Sequence, residues 1–122
     1  MVNMHEMALM GDILNLVQED ALPRNIKRLK MIELMVGELA NAMPDALRMA
    51  FAIYKEQNQA LFTEDAELRI VIEDAEAECI FCHTKYHPDM KITICPTCRM
   101  PSGKIITGET FQVLSYEGEE HE

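Results

Sequence analysis

The second half of the chain contains two short cysteine motifs, Cys79-Ile80-Phe81-Cys82 and Cys95-Pro96-Thr97-Cys98. Two residues between the cysteines let both sulfurs of a tight turn point at one ion, and two such turns facing each other complete a tetrahedron. Four thiolates fill the coordination sphere of zinc and leave no position for water, which is typical of a structural site. We therefore predict that one zinc ion is bound by Cys79, Cys82, Cys95 and Cys98.

Other interpretations of the four cysteines are open at this point. Two disulfides would be unusual in a reducing compartment, and two redox-active pairs would need thioredoxin-like surroundings that the sequence lacks. Iron in a rubredoxin-like site has similar spacing and is not distinguished from zinc. His83 or His87 could also replace one cysteine as a ligand. The twelve residues between the motifs suit a short two-stranded excursion.

The composition limits the class of protein. The 122 residues are about the size of one domain with a small insert, and 48% hydrophobic residues are enough to form a core. No apolar run approaches the ~20 residues that span a bilayer, and the N-terminus has no signal-peptide pattern. We therefore expect a cytoplasmic protein without a membrane partner, in which the thiols stay reduced.

The charge is negative overall but unevenly distributed. The net charge is −10, from 11 basic and 21 acidic residues, and such a chain repels a phosphate backbone. The segment from Cys79 to Lys104 is different, with a balance of +3 from Lys85, Lys91, Arg99 and Lys104 against Asp89. A zinc-ribbon adaptor that binds nucleic acid or the transcription machinery is therefore an alternative function, which the overall charge disfavours. We do not expect an enzyme, because no nucleophile with a base and no paired carboxylates stand in a recognisable frame.

Apolar periodicity predicts two helices. Residues 4 to about 21 form the first, which ends at Pro23. The second begins at Pro44, a residue tolerated at the first helical position. The apolar stripe of the first helix consists of Met7, Met10, Ile13, Leu14 and Val17.

Alternating apolar residues predict three strands, at residues 28–36, 67–73 and about 109–116. The cysteine segment lies between the second and third strands. We therefore predict an α+β fold in which a small three-stranded sheet packs with two helices and carries an inserted zinc-ribbon-like lobe. The predicted domains are a discontinuous α+β domain, residues 1–76 and 106–122, and the zinc-binding lobe, residues 77–105.

The first helix opens with Met4-His5-Glu6-Met7. Taken alone, this motif has an ordinary explanation, because Glu6 suits the positive end of the helix dipole and a lone histidine is weak evidence for a metal. Other motifs follow it in order: Val36-Gly37-Glu38-Leu39, the run Pro44-Asp45-Ala46-Leu47-Arg48-Met49-Ala50-Phe51, and the two cysteine pairs. Together they resemble the hydrogenase maturation nickel metallochaperones of the HypA/HybF family over nearly the whole chain.

The resemblance implies a two-lobed protein with a structural zinc and a separate site for nickel as cargo. Members of this family deliver nickel to the large-subunit precursor of nickel–iron hydrogenase and work with a partner GTPase, and some relatives serve urease. We accordingly expect a nickel metallochaperone that is a monomer or a homodimer.

By the same resemblance, His5 is the first nickel ligand and Glu6 the second. Imidazole suits nickel, and backbone amide nitrogens beside a histidine can complete a square-planar site. The sequence departs from the family pattern at two places. Met1, Val2 and Asn3 precede Met4, whose counterpart in the family is normally the initiator with a free amine, and Met43 stands near the position of an acidic residue in some relatives. Asp45 is the neighbouring carboxylate.

Overall fold

The computed structural model describes residues 4–89 and 93–119. In this part of the chain the helices are α1 (Met4–Ala21) and α2 (Pro44–Gln57). The strands are β1 (Leu29–Gly37), β2 (Phe62–Glu73), β3 (Glu76–Cys79), β4 (Lys85–Tyr86), β5 (Gly103–Thr107) and β6 (Phe111–Gly118). The predicted α+β class is confirmed.

Helix α1 has the predicted bounds and buries the predicted stripe, apart from Met7, which is half-buried. The buried apolar side chains are Met10, Ile13, Leu14, Val17 and Ala21. Glu6 is buried on the same face, because it lies one turn before Met10. A 3-10 turn, Leu22–Arg24, follows the helix, and Asn25 adopts a left-handed conformation with φ of 61°. The chain thus leaves the helix at Pro23, as expected for a residue without an amide hydrogen.

Helix α2 begins at Pro44 and packs through Leu47, Ala50 and Phe51, which are buried. The ring of Phe51 meets that of Phe62 edge to face, with centroids 5.4 Å apart. The last turn is closed by Asn58, whose side-chain amide donates to the carbonyl of Tyr54 at 2.8 Å.

The first sheet has the strand order β2-β1-β6. The central strand β1 is the most buried, and Ile32, Leu34 and Val36 are at most 1% exposed. The predicted strands at 28–36 and 109–116 match β1 and β6 within two residues. Strand β2 begins at Phe62, five residues before the predicted start, because the exposed neighbours Glu64 and Asp65 interrupt its apolar alternation.

The second sheet has the order β4-β3-β5 and is antiparallel. Its register places Glu78 of β3 opposite Lys85 on one side and Lys104 on the other, a favourable pairing of charges. The described part of the twelve residues between the cysteine motifs contains only β4, which pairs with β3. The expected two-stranded excursion is therefore replaced, in the described residues, by pairing of β4 with β3, the strand that ends at the first cysteine of the first motif.

The chain forms two compact units. The first consists of Met1–Leu34, Ala42–Val71 and Gln112–Glu122, and includes both helices. The second consists of Met35–Asn41 and Ile72–Phe111, and includes the second sheet and all four cysteines. The lobe boundaries predicted at residues 77 and 105 stay a prediction.

Candidate metal centres

The two cysteine motifs form two turns, here called the knuckles, at residues 79–82 and 95–98. Cys79 is the last residue of β3, and the four Sγ atoms all lie within 4.8 Å of one another. The first cysteine of each knuckle, Cys79 or Cys95, is buried. Cys82 is exposed and Cys98 half-buried. The knuckles therefore bring four sulfurs together at the surface of the second unit.

The two knuckles have the same backbone geometry. The amide of His83 donates to the carbonyl of Cys79 at 3.0 Å, and the amide of Arg99 donates to that of Cys95 at 2.7 Å. His83 and Arg99, each of which follows the second cysteine of its knuckle, are both left-handed with φ near 60°. Within each knuckle, the amide of the second cysteine points at the sulfur of the first, at 3.5 Å for Cys82 and 3.4 Å for Cys98. Amides directed at sulfur are suited to stabilising a thiolate.

The spacing of the sulfurs fits a tetrahedral metal ion. A tetrahedron with Zn–S distances of about 2.3 Å has edges of about 3.8 Å. The Sγ atoms of Cys79 and Cys98 are 3.9 Å apart, and those of Cys82 and Cys95 are 3.6 Å apart. All four cysteines are free thiols, so the alternative of two disulfides is not what the structure has. The cluster fits a structural zinc site, and it would accommodate iron equally well by geometry.

The thiols differ in their readiness to ionise. Hydrogen bonds from the Cys82 amide, and then from the Ser102 hydroxyl, lower the pKa of the Cys79 thiol to about 6. Its contact with Cys82, followed by burial, raises the pKa of the Cys98 thiol to about 12. Because the thiolate is the form that binds a metal, a divalent cation displaces the protons that the cysteines still carry.

The two histidines considered as alternative ligands are not part of the four-cysteine cluster that the described residues form. His83, which directly follows the first knuckle, is exposed. His87 contacts Glu38 instead, with its Nε2 atom 3.1 Å and 3.0 Å from the two carboxylate oxygens. Hydrogen bonds from the Ala75 amide, and then from His87, lower the pKa of Glu38.

The N-terminal motif places its two predicted nickel ligands in different surroundings. His5 is exposed in the first turn of α1, whereas Glu6 is only 2% exposed. Oε2 of Glu6 accepts a hydrogen bond from the backbone amide of Met43 at 3.2 Å. Oε1 of Glu6 has no hydrogen-bond partner among the described residues. Met43 directly precedes α2, so this contact brings the first turn of α2 beside the first turn of α1. Asp45 belongs to that first turn of α2.

Two parts of these sites were not predicted from the sequence. The contact between Glu6 and Met43 joins residues 37 positions apart and has no local signal, although the spacing of Glu6 and Met10 does place the carboxylate on the buried stripe. Ser102, 3.1 Å from the sulfur of Cys79, lies outside both cysteine motifs.

A family model described as hydrogenase/urease nickel incorporation, metallochaperone, hypA matches residues 4–118. The chain belongs to this family. Within it, two relatives named hydrogenase maturation factor HypA are each 34% identical to the chain, one from Moorella thermoacetica over 116 residues and one from Desulfitobacterium hafniense over 117. These matches cover 95% and 96% of this chain and 100% of each relative. The predicted family is thus confirmed, and with it the class of nickel metallochaperones used in hydrogenase maturation.

Two solved structures of this family have a similar fold. A solution structure of HypA protein is 25% identical, has a TM-score of 0.64, and covers 96% of this chain and 98% of its own. The solution structure of the Ni metallochaperone HypA from Helicobacter pylori is 24% identical, has a TM-score of 0.61, and covers 93% and 96%. The predicted fold class agrees with both. Within the described residues, neither helix combines the length and hydropathy needed to cross a bilayer.

Proposed function

We propose that this chain binds nickel and delivers it to the large-subunit precursor of a nickel–iron hydrogenase. The main support is the family match, which runs from residue 4 to residue 118 and therefore includes both the N-terminal motif and the cysteine knuckles. The family description names urease as well as hydrogenase. The name of the relatives, hydrogenase maturation factor, favours hydrogenase as the target. Delivery takes place in the cytoplasm with a partner GTPase, and the chain itself catalyses no reaction.

The proposed nickel site is centred on His5. Its imidazole is exposed at the start of α1, where an ion can enter and leave, and imidazole is a good ligand for nickel. Glu6 is the second proposed ligand. A buried carboxylate oxygen without a partner is uncommon, and Oε1 of Glu6 is therefore available for a cation. Asp45 is a third candidate, because α2 starts beside Glu6.

The proposed zinc site consists of the four cysteines, which hold the ion as a permanent structural group. Zinc coordinated by four thiolates has no open position, so it supplies folding free energy rather than chemistry. We further propose that residues 77–105 fold around it as a separate lobe, while residues 1–76 and 106–122 form the nickel-binding domain. The presence of the β4-β3-β5 sheet and the four cysteines in one compact unit supports this division.

A transfer experiment tests the proposed function. The zinc-loaded chain is given one equivalent of nickel and mixed with purified, nickel-free large-subunit precursor, with and without the partner GTPase and GTP. We expect nickel to appear in the precursor, and His5→Ala to prevent this. His87→Ala is the matched histidine control, since His87 pairs with Glu38, and it should transfer nickel normally. Equal transfer by the His5→Ala variant would contradict the nickel site.

A further inference from the structure

Ser102 is buried behind the first knuckle. It lies four residues after Cys98 and is only 6% exposed. Its Oγ atom is 3.1 Å from the sulfur of Cys79, which is itself fully buried. Buried hydroxyls in proteins are almost always hydrogen-bonded, because leaving one without a partner costs free energy. The sulfur of Cys79 is therefore one of the groups that can satisfy the buried hydroxyl of Ser102.

The backbone of Ser102 is bonded to both knuckles. Its carbonyl accepts the amide of Ile80, in the first knuckle, at 2.9 Å. Its amide donates to the carbonyl of Met100 at 2.7 Å, and that carbonyl also accepts the amide of Cys95, in the second knuckle, at 3.0 Å. A single residue thus links the backbones that hold the two halves of the cysteine cluster.

The hydroxyl has one proton and two acceptors within reach, the sulfur of Cys79 and the carbonyl oxygen of Met100 at 3.3 Å. When Cys79 is a thiol, the thiol can donate to Ser102 and the hydroxyl to Met100. When Cys79 is a metal-bound thiolate, the sulfur has no proton and the hydroxyl donates to it. Because hydrogen bonds to an ionised acceptor are the stronger ones, the thiolate favours the second arrangement.

We propose that Ser102 is a positioning residue of the zinc site, whose hydroxyl donates to the Cys79 thiolate and fixes the orientation of that sulfur. This inference rests on the proposed four-cysteine zinc site. Partners of this kind orient metal ligands and tune the electron density that they give to the ion. Thr84 has a comparable position, with Oγ1 3.2 Å from the sulfur of Cys82, but that sulfur is exposed and water competes for it. Ser102 therefore has the larger effect on the metal.

The test compares Ser102→Ala with Ser102→Thr, which keeps the hydroxyl, and with Ser115→Ala, which removes an exposed hydroxyl from β6. Zinc affinity is measured by competition with a chromophoric chelator, and the metal–sulfur bond by the charge-transfer band of the cobalt-substituted protein. We expect Ser102→Ala to retain one metal per chain with about tenfold weaker zinc binding. Its charge-transfer band should move to lower energy, because a sulfur that loses a hydrogen bond gives up its electrons more readily. Ser115→Ala should change neither quantity.

The possible outcomes are separable. A Ser102→Ala variant with wild-type zinc affinity and an unshifted band would overturn the role of Ser102 alone. If Ser102→Ala does not fold, the band of Ser102→Thr decides: a wild-type band supports the proposal, and a band at lower energy overturns it. A wild-type chain that binds no zinc in the same assay would contradict the four-cysteine site and the role of Ser102 together.

Discussion

The carboxylate of Glu6, in the first turn of α1, accepts a hydrogen bond from the backbone amide of Met43, the residue that caps the start of α2. The amide of Met43 stands at the N-terminal end of α2, where backbone amides have no acceptor within the helix, so it depends on a partner elsewhere in the chain. Glu6 provides that partner from a buried position. The start of α1, where nickel is proposed to bind, is thereby fixed to the start of α2.

Substitution of Glu6 should affect stability and nickel binding separately. Glu6→Ala leaves the amide of Met43 without its acceptor and should lower the free energy of unfolding by about 1–3 kcal/mol. Glu6→Gln keeps an acceptor oxygen for Met43 but removes the carboxylate, so it should be more stable than Glu6→Ala and still bind nickel more weakly than the wild type. Urea denaturation and nickel titration measure the two effects. Wild-type nickel affinity in Glu6→Gln would show that Glu6 is not a nickel ligand and that its role is the hydrogen bond with Met43.

The residues that precede Met4 should affect nickel affinity. The family match begins at residue 4, and a free α-amine there, with a pKa of about 7.7–8.0, could join the imidazole of His5 as a nitrogen ligand. A chain that starts at Met4 should therefore bind nickel more tightly than one with Met1, Val2 and Asn3 in place, most clearly above pH 8. Isothermal titration of the two chains gives the comparison. Equal affinities would exclude the amine as a ligand.

Loss of one zinc ligand should unfold one part of the chain. Cys79→Ala removes the buried sulfur of the first knuckle, and we expect the zinc content to fall from one per chain to none. Amide hydrogen exchange should then accelerate in residues 79–104, while α1 and α2 stay protected, because these helices have their own core. Ser115→Ala serves as a control. Full zinc stoichiometry in the Cys79→Ala variant would contradict the metal site.

The carboxylate of Glu73 should make part of the stability dependent on pH. The amide of Gly108 donates to it at 2.6 Å and holds its pKa below the ordinary value of 4.5. A carboxylate with a lowered pKa in the folded state stabilises the fold above its unfolded pKa, and this contribution disappears as the pH falls through the lower value. The midpoint of thermal unfolding should therefore decline less between pH 5 and about 3 in Glu73→Gln than in Glu56→Gln, an exposed control on α2. If the unfolding midpoints of the two variants fall by the same amount, Glu73 makes no pH-dependent contribution to stability.

The elements of the fold could be predicted where a local pattern fixes them. Helix α1 shows its 3.6-residue stripe and its stop at Pro23, and β1 shows alternation with a core on one face. The start of β2 was missed, because Glu64 and Asp65 are adjacent polar residues on a strand, which pattern alone assigns to a loop. The short strands β3, β4 and β5 were missed because two to five residues are too few to show a period.

The candidate sites were predictable to the extent that their residues are close in sequence. The cysteine spacing carries its own geometry, since two residues between sulfurs define a knuckle. The groups that support the sulfurs are different: Ser102 reaches Cys79 only because β5 pairs with β3. The burial of Glu6 likewise depends on the packing of α2 against α1, and this packing cannot be predicted from a short motif.

The central claim is that the chain holds zinc and nickel at two independent sites, and metal analysis of His5→Ala after nickel titration tests it most directly. Wild type and variant are saturated with nickel, freed of excess ion, and analysed by native mass spectrometry. We predict one zinc and one nickel in the wild type, and one zinc without nickel in His5→Ala, with an unchanged circular dichroism spectrum. Retention of nickel by His5→Ala, or displacement of zinc by nickel in either chain, would contradict the claim.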